Sequence, residues 1–333
     1  MIYFAIMENK VKLLIIRFSS IGDIVLTTPV IRCLKEQLEG DVEIHYLTKK
    51  GYVELLNHNP HLTKVYGIEK TTNEVIEELK KEQFDYIIDL HKNLRSARVK
   101  KNLKGLAFSF DKLNFKKWLL VNFKINLLPD VHIVDRYLNT VKALGVENDG
   151  LGLDYYLPKG IEEEKLLPDG FEGIYITIVL GANHATKKVP LHKLKSLIEQ
   201  IQQPIVLIGG EADKMWGEEL EQMNPKRIFN ACGKMSLNQS AYLLKNSREV
   251  ITPDTGMMHI AAAFNKNITS IWGNTVPHFG MFPYLKQNSK SISKIVEVKD
   301  LNCRPCSKIG FEKCPKGHFK CMEEIPVRSI VKE

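Results

Sequence analysis

The sequence has no apolar run near the roughly 18–20 residues that a membrane-spanning helix needs. Its start, MIYFAIMENKVK, lacks the basic first region and the small-residue cleavage site of a secretory signal. Six cysteines among 333 residues would suit disulfides only in an oxidising compartment, and nothing in the sequence indicates export. These absences favour a cytoplasmic protein.

Familiar phosphate and metal signatures are missing as well. The first apolar run is followed by neither G-x-G-x-x-G nor G-x-x-x-x-G-K-[ST], which argues against a dinucleotide fingerprint and a P-loop. No Asp-x-Asp motif stands in a suitable loop. We therefore predict no obligatory catalytic metal.

Positive charge is in excess, with 47 Lys and Arg against 39 Asp and Glu, a formal charge of +8. An anionic partner is therefore expected, whether a nucleotide, a phosphorylated glycan, a membrane surface or a nucleic acid. At about 100–200 residues per domain, the length predicts two domains.

Short β-branched runs alternate with amphipathic segments, which predicts parallel βαβ units. The first half contains predicted strands Lys12–Arg17, Val42–Leu47, Lys64–Gly67 and Tyr86–Asp89, and helices Val30–Leu38, Tyr52–Asn57, Asn73–Lys81 and Ile133–Leu144. The second half contains predicted strands Ile174–Val179, Pro204–Ile208, Arg227–Asn230, Glu249–Thr252 and Ile268–Trp272, and helices Leu191–Gln200, Lys214–Gln222, Leu237–Asn246 and Gly256–Phe264. A linker at 147–173 separates them, so we expect a ligand cleft between two α/β domains, 1–165 and 166–333.

The first candidate site is RFSSIGDIVLTTP, which follows a predicted strand. Gly22 fits a turn with positive φ or a close approach to a ligand. Asp23 is either a helix N-cap or a functional acid, and Thr28 before Pro29 is a competing cap. The pattern alone leaves both interpretations open.

The second candidate is VLGANHATKKVP, which brings His184, Thr186, Lys187 and Lys188 to the end of another predicted strand. Hydroxyl and ammonium groups at the carboxyl end of a parallel strand suit a diphosphate. The alternative is a solvated pair of lysines in a loop.

The third candidate is EVITPDTGMMHIAAA, where a strand leads through Asp254, Thr255 and Gly256 into an Ala-rich helix. Backbone N–H groups at such a helix start bind anions, and Asp254 suits sugar hydroxyls. A plain N-cap is the alternative.

A basic and aromatic stretch runs from Lys92 to Lys124, with ten Lys or Arg, five Phe or Trp and one acid, Asp111. This composition fits a membrane surface or anionic glycolipid, single-stranded nucleic acid, or a solvated face. The candidate acceptor or membrane contacts are Lys92, Arg95, Arg98, Lys100 and Lys101.

The C-terminal segment is rich in Cys and His. A C-x-x-C pair followed by further ligands suits a structural zinc ion, although the later spacing matches no zinc pattern we know. The alternative is packed thiols. The candidate ligands are Cys303, Cys306, Cys314 and Cys321, with His318 nearby.

Together these segments resemble glycosyltransferase family 9, the ADP-heptose:lipopolysaccharide heptosyltransferases. KLLIIRFSSIGDIVLTTPVIRCLK is similar to that family's opening, and GKMSL and TPDTGMMHIAAA to its donor-site segments. GANHATKKVP corresponds to its lysine loop, although Val189 stands where Trp is usual. The order and spacing of these segments fit across nearly the whole chain.

The resemblance implies a GT-B fold, with two Rossmann-like domains facing across a cleft and a final helix crossing back to the first domain. It implies that 166–333 binds ADP-heptose and that 1–165 binds a lipid-linked inner-core acceptor at the inner membrane, peripherally. Asp23 would be the general base of an inverting transfer, on a loop with Ser19, Ser20 and Gly22. The implied donor contacts are Thr186 and Lys187 at the diphosphate, Met235 at the adenine, Asp254, Thr255 and Gly256 at the heptose and phosphates, and His259 behind them.

Three alternatives stay open at this point. Val189 leaves room for another nucleotide sugar, and a GT-B nucleotide-sugar epimerase would need no separate acceptor. A basic, zinc-containing nucleic-acid-binding protein would explain the basic stretch and the cysteines, but it leaves both ligand-type loops unexplained.

Overall fold

The computed structural model describes residues 10–171 and 175–331. By contacts these fall into two units: unit 1 comprises 10–112 and 134–150, and unit 2 comprises 113–133, 151–171 and 175–331. Residues 113–133 and 151–165, which the sequence analysis assigned to the first domain, make their contacts within unit 2. The assignment of acceptor and donor binding to the two domains stays a prediction.

The described elements alternate between strands and helices, as predicted. Up to residue 150 they are β1 (Lys10–Ile16), α1 (Ile21–Val25), α2 (Thr28–Gln37), β2 (Asp41–Lys49), β3 (Lys64–Ile68), α3 (Asn73–Glu82), β4 (Tyr86–Asp89), α4 (Leu94–Asn102), β5 (Leu106–Ser109), α5 (Asn114–Phe123) and α6 (Ile133–Leu138). Beyond it they are β6 (Ile176–Val179), α7 (Leu191–Gln200), β7 (Ile205–Ile208), α8 (Lys214–Glu221), β8 (Ile228–Asn230), α9 (Leu237–Asn246), β9 (Glu249–Pro253), α10 (Gly256–Ala263), β10 (Asn267–Trp272), β11 (Ser293–Glu297) and α11 (Lys320–Glu323).

Several element assignments differ from the sequence predictions. The predicted helix Tyr52–Asn57 is a 3-10 helix at Lys50–Leu55, and the predicted helix Ile133–Leu144 ends as an α-helix at Leu138. The first residues of predicted strand Ile174–Val179 and the end of the predicted linker overlap 172–174, outside the described residues. No element was predicted at the positions of α1, α4, β5, α5, β11 and α11.

Each unit contains one parallel sheet. Unit 1 has the order β3-β2-β1-β4-β5, and unit 2 has β11-β10-β9-β6-β7-β8. The core of unit 1 includes Leu14, Ile16 and Leu79, all fully buried. Apolar runs such as LLII are covered on both faces, as parallel strands require.

The order of strands reverses once in each sheet, beside β1 in unit 1 and beside β6 in unit 2. In open parallel sheets, ligands bind outside the carboxyl ends of the strands at such a reversal. The loops after β1 and β4 therefore form one expected site, and those after β6 and β9 form another.

The C-terminal segment packs within unit 2. Cys321, Met322, Ile325 and Ile330 are buried in the same cluster as Leu197 and other core residues of that unit. A final helix crossing to the first domain, which the resemblance implies, stays a prediction. No helix in the described part of the chain is long and apolar enough to cross a membrane.

One buried ion pair holds residues 134–150 on the rest of unit 1. Arg32, on α2, donates from Nε to Asp149 Oδ2 at 2.7 Å and from Nη2 to Asp149 Oδ1 at 3.0 Å. The Arg32 side chain is only 5% exposed. A bidentate pair of this kind is strong because both partners are charged and both bonds are aligned.

We expect Asp149→Ala to lower the free energy of unfolding by about 3 kcal/mol, because Arg32 keeps a buried charge without this carboxylate. Urea unfolding followed by circular dichroism measures the change. The matched control is Glu147→Ala, an exposed acid two residues away, which should cost less than about 0.5 kcal/mol. Equal effects of the two variants would contradict the prediction.

Candidate active-site loops

The turn after β1 contains a short helix that the sequence analysis missed. Asp23 is the third residue of α1 rather than an N-cap, and Ser20 is the N-cap. Asp23 Oδ2 accepts hydrogen bonds from Ser20 N at 3.1 Å and Ser20 Oγ at 2.9 Å. Gly22 lies in this helix and not in a turn with positive φ, so that part of the prediction was wrong. The S-x-x-D spacing was the available signal for α1.

Arg17 holds the other oxygen of Asp23. Its guanidinium lies 2.6 Å from Asp23 Oδ1 and also donates to the carbonyls of Ser19 at 2.8 Å and Leu90 at 2.6 Å. The Arg17 side chain is 10% exposed and that of Asp23 is 22% exposed. The carboxylate therefore has one open side and one side fixed by a charged, buried partner.

This environment lowers the pKa of Asp23 below its ordinary value. Burial by itself raises the pKa, but the charge of Arg17 and the hydrogen bonds from Ser20 outweigh it. Burial by itself lowers the pKa of Arg17. The negative charge of Asp23 contributes most to outweighing burial, so the pKa of Arg17 is raised. Asp23 is a carboxylate at neutral pH and can accept a proton.

His91, after β4, lies beside this turn. Its ring packs edge-on against Phe18 at 5.1 Å between ring centroids. Burial, together with the charges of Arg17 and Lys112, lowers the pKa of His91 to about 4. The pKa of Lys112 is also lowered, first by burial and then by Arg17. Unit 1 thus gathers acidic and basic side chains at the reversal of its sheet.

In unit 2 the loops after β6 and β9 meet, as their pairing in the sheet requires. Lys187 Nζ donates to Asp254 Oδ2 at 2.6 Å, and Thr275 Oγ1 donates to the same oxygen at 2.8 Å. The side chains of Lys187 and Asp254 are 17% and 12% exposed. Thr275, which follows β10 and is buried, was missed because nothing in its local sequence marks it.

Thr186 and Lys188, the neighbours of Lys187, have other partners. The Thr186 hydroxyl donates to the Phe311 carbonyl at 3.0 Å and accepts from the Phe311 N–H at 2.8 Å. Lys188 Nζ lies 2.5 Å from Asp213 Oδ1. Lys187 is therefore the member of this run that joins the loop after β9.

The start of α10 presents backbone N–H groups beside that pair. Thr255 is the N-cap, without a side-chain cap bond, and Gly256 is the first helical residue. His259 is buried within the helix, and its role as a support of the loop stays a prediction. Met235 is half-buried and precedes Ser236, the N-cap of α9. Its place at an adenine stays a prediction.

The basic stretch is divided between the units, because residues up to Lys112 lie in unit 1 and α5 lies in unit 2. Lys92, Arg95, Arg98 and Lys101 are exposed. Lys100 instead pairs with the fully buried Asp89 at 2.8 Å. Lys100 therefore has an ion-pair partner within unit 1 at the end of β4, whereas the other four candidate contacts are exposed.

The cysteines are free thiols. Across residues 10–171 and 175–331, no group of three or more His, Cys, Asp or Glu side chains is placed to hold a metal ion. Burial raises the pKa of Cys306 to about 11 and that of Cys321 to about 12. The candidate ligands Cys303, Cys306, Cys314 and Cys321 form no such group in the described residues, and both a structural zinc ion and packed thiols stay predictions.

Comparison with known proteins identifies the class. Residues 73–310 match the family model of glycosyltransferase family 9 (heptosyltransferase). The chain therefore belongs to this family and is a glycosyltransferase. This confirms the resemblance and sets aside the nucleic-acid-binding alternative.

Individual relatives cover nearly the whole chain. The chain is 25% identical to lipopolysaccharide heptosyltransferase 1 of Campylobacter coli, over 97% of this chain and 98% of that protein. It resembles the structure of E. coli ADP-heptose lps heptosyltransferase II, with a TM-score of 0.67 at 18% identity, over 94% and 98% of the two chains. It also resembles E. coli heptosyltransferase WaaC with ADP-2-deoxy-2-fluoro heptose, with a TM-score of 0.65 at 19% identity, over 85% and 92%. The last two likenesses confirm the predicted fold class.

We expect His91 to make stability depend on pH between about 6.5, the ordinary pKa of histidine, and its lowered value of about 4. In this range the unfolded chain takes up a proton at His91 and the folded chain does not, so stability falls as pH falls. His91→Phe should lose less stability between pH 7 and pH 5 than the unmodified protein, as measured by urea unfolding. His58→Phe, at an exposed histidine, is the control and should behave like the unmodified protein. Identical losses in all three proteins would refute this account.

Proposed function

We propose that the protein transfers heptose from ADP-heptose to a lipopolysaccharide inner-core acceptor, with inversion at the anomeric carbon. The observation that carries the proposal is the Asp23 carboxylate, kept ionised by Arg17 at the strand reversal of unit 1. Family membership and the likeness to a heptosyltransferase with an ADP-heptose analogue support the donor.

The acceptor side of the reaction needs one base. As the acceptor hydroxyl attacks the anomeric carbon, its proton passes to Asp23, and the bond between the heptose and ADP breaks. ADP leaves with the electron pair. A single displacement therefore requires one carboxylate opposite the leaving group, rather than two. The ion pair of Asp23 Oδ1 with Arg17 keeps the carboxylate oriented.

The donor side must stabilise the negative charge that develops on ADP. Lys187 supplies a positive charge, and the N-terminus of α10 supplies N–H groups and the positive end of the helix dipole. Asp254, held by Lys187 and Thr275, is placed to accept hydroxyl groups of the heptose. We propose Thr255 and Gly256 as phosphate contacts, Met235 as part of the adenine pocket, and Thr186 as a support of the lysine loop.

The acceptor is anionic and lipid-linked in this proposal. The exposed side chains of Lys92, Arg95, Arg98 and Lys101 are suited to its negative groups. We infer a cytoplasmic enzyme that works at the inner face of the membrane. Such an enzyme meets its acceptor in the plane of the lipid.

Asp23→Asn should slow transfer strongly while leaving donor binding intact, because the amide cannot take the proton. We expect the transfer rate to fall by roughly 10²–10⁴-fold, with ADP-heptose binding in calorimetry unchanged.

Lys187→Met should instead weaken ADP-heptose binding by roughly 10–100-fold, since a charge-assisted bond is lost. Lys226→Met, at an exposed lysine, is the control.

Three results would count against this assignment. Transfer at an undiminished rate in Asp23→Asn would exclude Asp23 as the base. Tight UDP-sugar binding without a response to ADP-heptose would exclude the donor. A new isomer formed from ADP-heptose alone would favour the epimerase.

Arg17→Met should move the acidic limb of the kcat/KM profile to higher pH. Arg17 lowers the pKa of Asp23, so its removal raises the pH at which the base becomes protonated. The unmodified enzyme should keep its base ionised to below the ordinary pKa of Asp, about 4. Arg17→Lys, which retains the charge, should lie closer to the unmodified profile, and unchanged ADP-heptose binding checks the fold. An acidic limb that stays in place in Arg17→Met would disprove the role of Arg17.

A further inference from the structure

Large apolar side chains are exposed in one short part of unit 2. Six of the fifteen that are exposed among the described residues lie between 115 and 131. They are Phe115, Trp118, Phe123, Ile125, Leu127 and Val131, with exposed fractions from 42% to 70%. We call residues 115–131 the α5 surface. Its density of exposed apolar groups marks it as an interaction site rather than ordinary protein surface.

The aromatic side chains of the α5 surface contact one another. The rings of Phe115 and Trp118 are stacked at 6.1 Å, and those of Trp118 and Phe123 meet edge-on at 5.2 Å. Leu120, in the same helix, is 93% covered and supplies the buried side. One side of α5 therefore packs on the protein while the other presents a continuous aromatic strip.

Both ends of α5 are held by the cysteine-containing segment. Lys124 Nζ donates to the carbonyls of Val121 at 2.7 Å and Pro305 at 2.8 Å. Lys308 Nζ donates to the Asn114 carbonyl at 3.3 Å. These bonds fix the helix on unit 2, so the exposure of its aromatic strip is not due to fraying at the ends.

The charge of the α5 surface is mainly positive. Residues 115–131 contain three lysines, Lys116, Lys117 and Lys124, and one acid, Asp130. Lys116 is exposed beside Phe115, and Lys117 lies 5.8 Å from the ring of Phe279. Apolar and aromatic groups with an excess of lysine match the interface of an anionic bilayer. There the rings enter the headgroup region and the exposed Lys116 meets lipid phosphates.

We propose that the α5 surface is a membrane-contact site for an anionic lipid bilayer. The inference rests on the proposed function and deepens it, because it names the part of the enzyme that contacts the membrane holding the acceptor. It is separate from the α4 side chains proposed for the acceptor, which belong to unit 1.

Vesicle binding tests the proposal without donor or acceptor. The full chain is sedimented with phosphatidylcholine vesicles that contain or lack phosphatidylglycerol. We expect the protein to bind only the anionic vesicles. Combining Phe115→Ser with Trp118→Ser should weaken this binding roughly ten-fold or more, because the two rings would no longer be buried in the bilayer. Met215→Ser, at an exposed methionine of α8, should not change binding.

The charged part is tested in the same assay. Lys116→Glu should weaken binding to anionic vesicles, because a lysine near the lipid phosphates is replaced by an acid. Lys226→Glu makes the same change in net charge at another exposed lysine and should have a much smaller effect. Equal losses in the two variants would show that net charge alone drives binding, and would overturn the site.

Fluorescence locates the contact even if a serine variant does not fold. Trp118 is the most exposed of the three tryptophans, Trp216 being half-buried and Trp272 buried. Brominated anionic lipids should quench the tryptophan fluorescence of the bound protein. The Trp118→Phe variant should still bind vesicles, but most of this quenching should be lost. Quenching that persists in Trp118→Phe would overturn the proposal. If the α5 surface bound an acidic protein in preference to anionic vesicles, the proposal would also be overturned.

Donor binding separates the two proposals. ADP-heptose binding by calorimetry needs no vesicle, and it should be unchanged in the α5 variants. Absence of vesicle binding with intact donor binding would refute the α5 surface alone. Absence of ADP-heptose binding with normal vesicle binding would refute the proposed function alone.

Discussion

The reversal of strand order in each sheet is the constraint on which the candidate sites depend. In a parallel sheet all carboxyl ends lie at one edge, and the reversal leaves a crevice there that no crossover helix covers. The reversal beside β1 gathers Arg17, Asp23 and His91, and the one beside β6 gathers Lys187 and Asp254. Residues far apart in sequence therefore meet because of topology, not because of any local motif.

Both units pair an acid with a base at this position, but with different chemistry. Arg17 is buried and donates to two carbonyls besides Asp23, so it is a rigid partner that keeps the carboxylate ionised and oriented. Lys187 is a flexible partner with one described side-chain bond. Lysine can turn towards a ligand phosphate without breaking a network. The rigid pair suits a base, and the flexible pair suits ligand binding.

Sequence reasoning located β1 to β4 and β6 to β10 because buried parallel strands leave continuous apolar runs, and it missed β5 and β11, which are largely exposed. It also matched α7, α9 and β4 to the residue. It missed α4 because LRSARVKKN has almost no apolar face, and it missed α1 because five residues are too few for periodicity. The bond of Thr275 to Asp254 and that of Arg17 to the Leu90 carbonyl could not be predicted from local sequence, since each joins loops that follow different strands.

The basic and aromatic stretch shows how a single feature of the sequence becomes two in the fold. Its arginines lie mainly on α4, where charge is exposed without aromatic groups, whereas its exposed rings lie on α5. Charge alone suits a soluble anionic group, while rings flanked by lysine suit the boundary between water and lipid. A substrate that has a charged sugar part and a lipid anchor would call for both kinds of surface. The division of the stretch therefore agrees with the acceptor and the membrane contact that we propose.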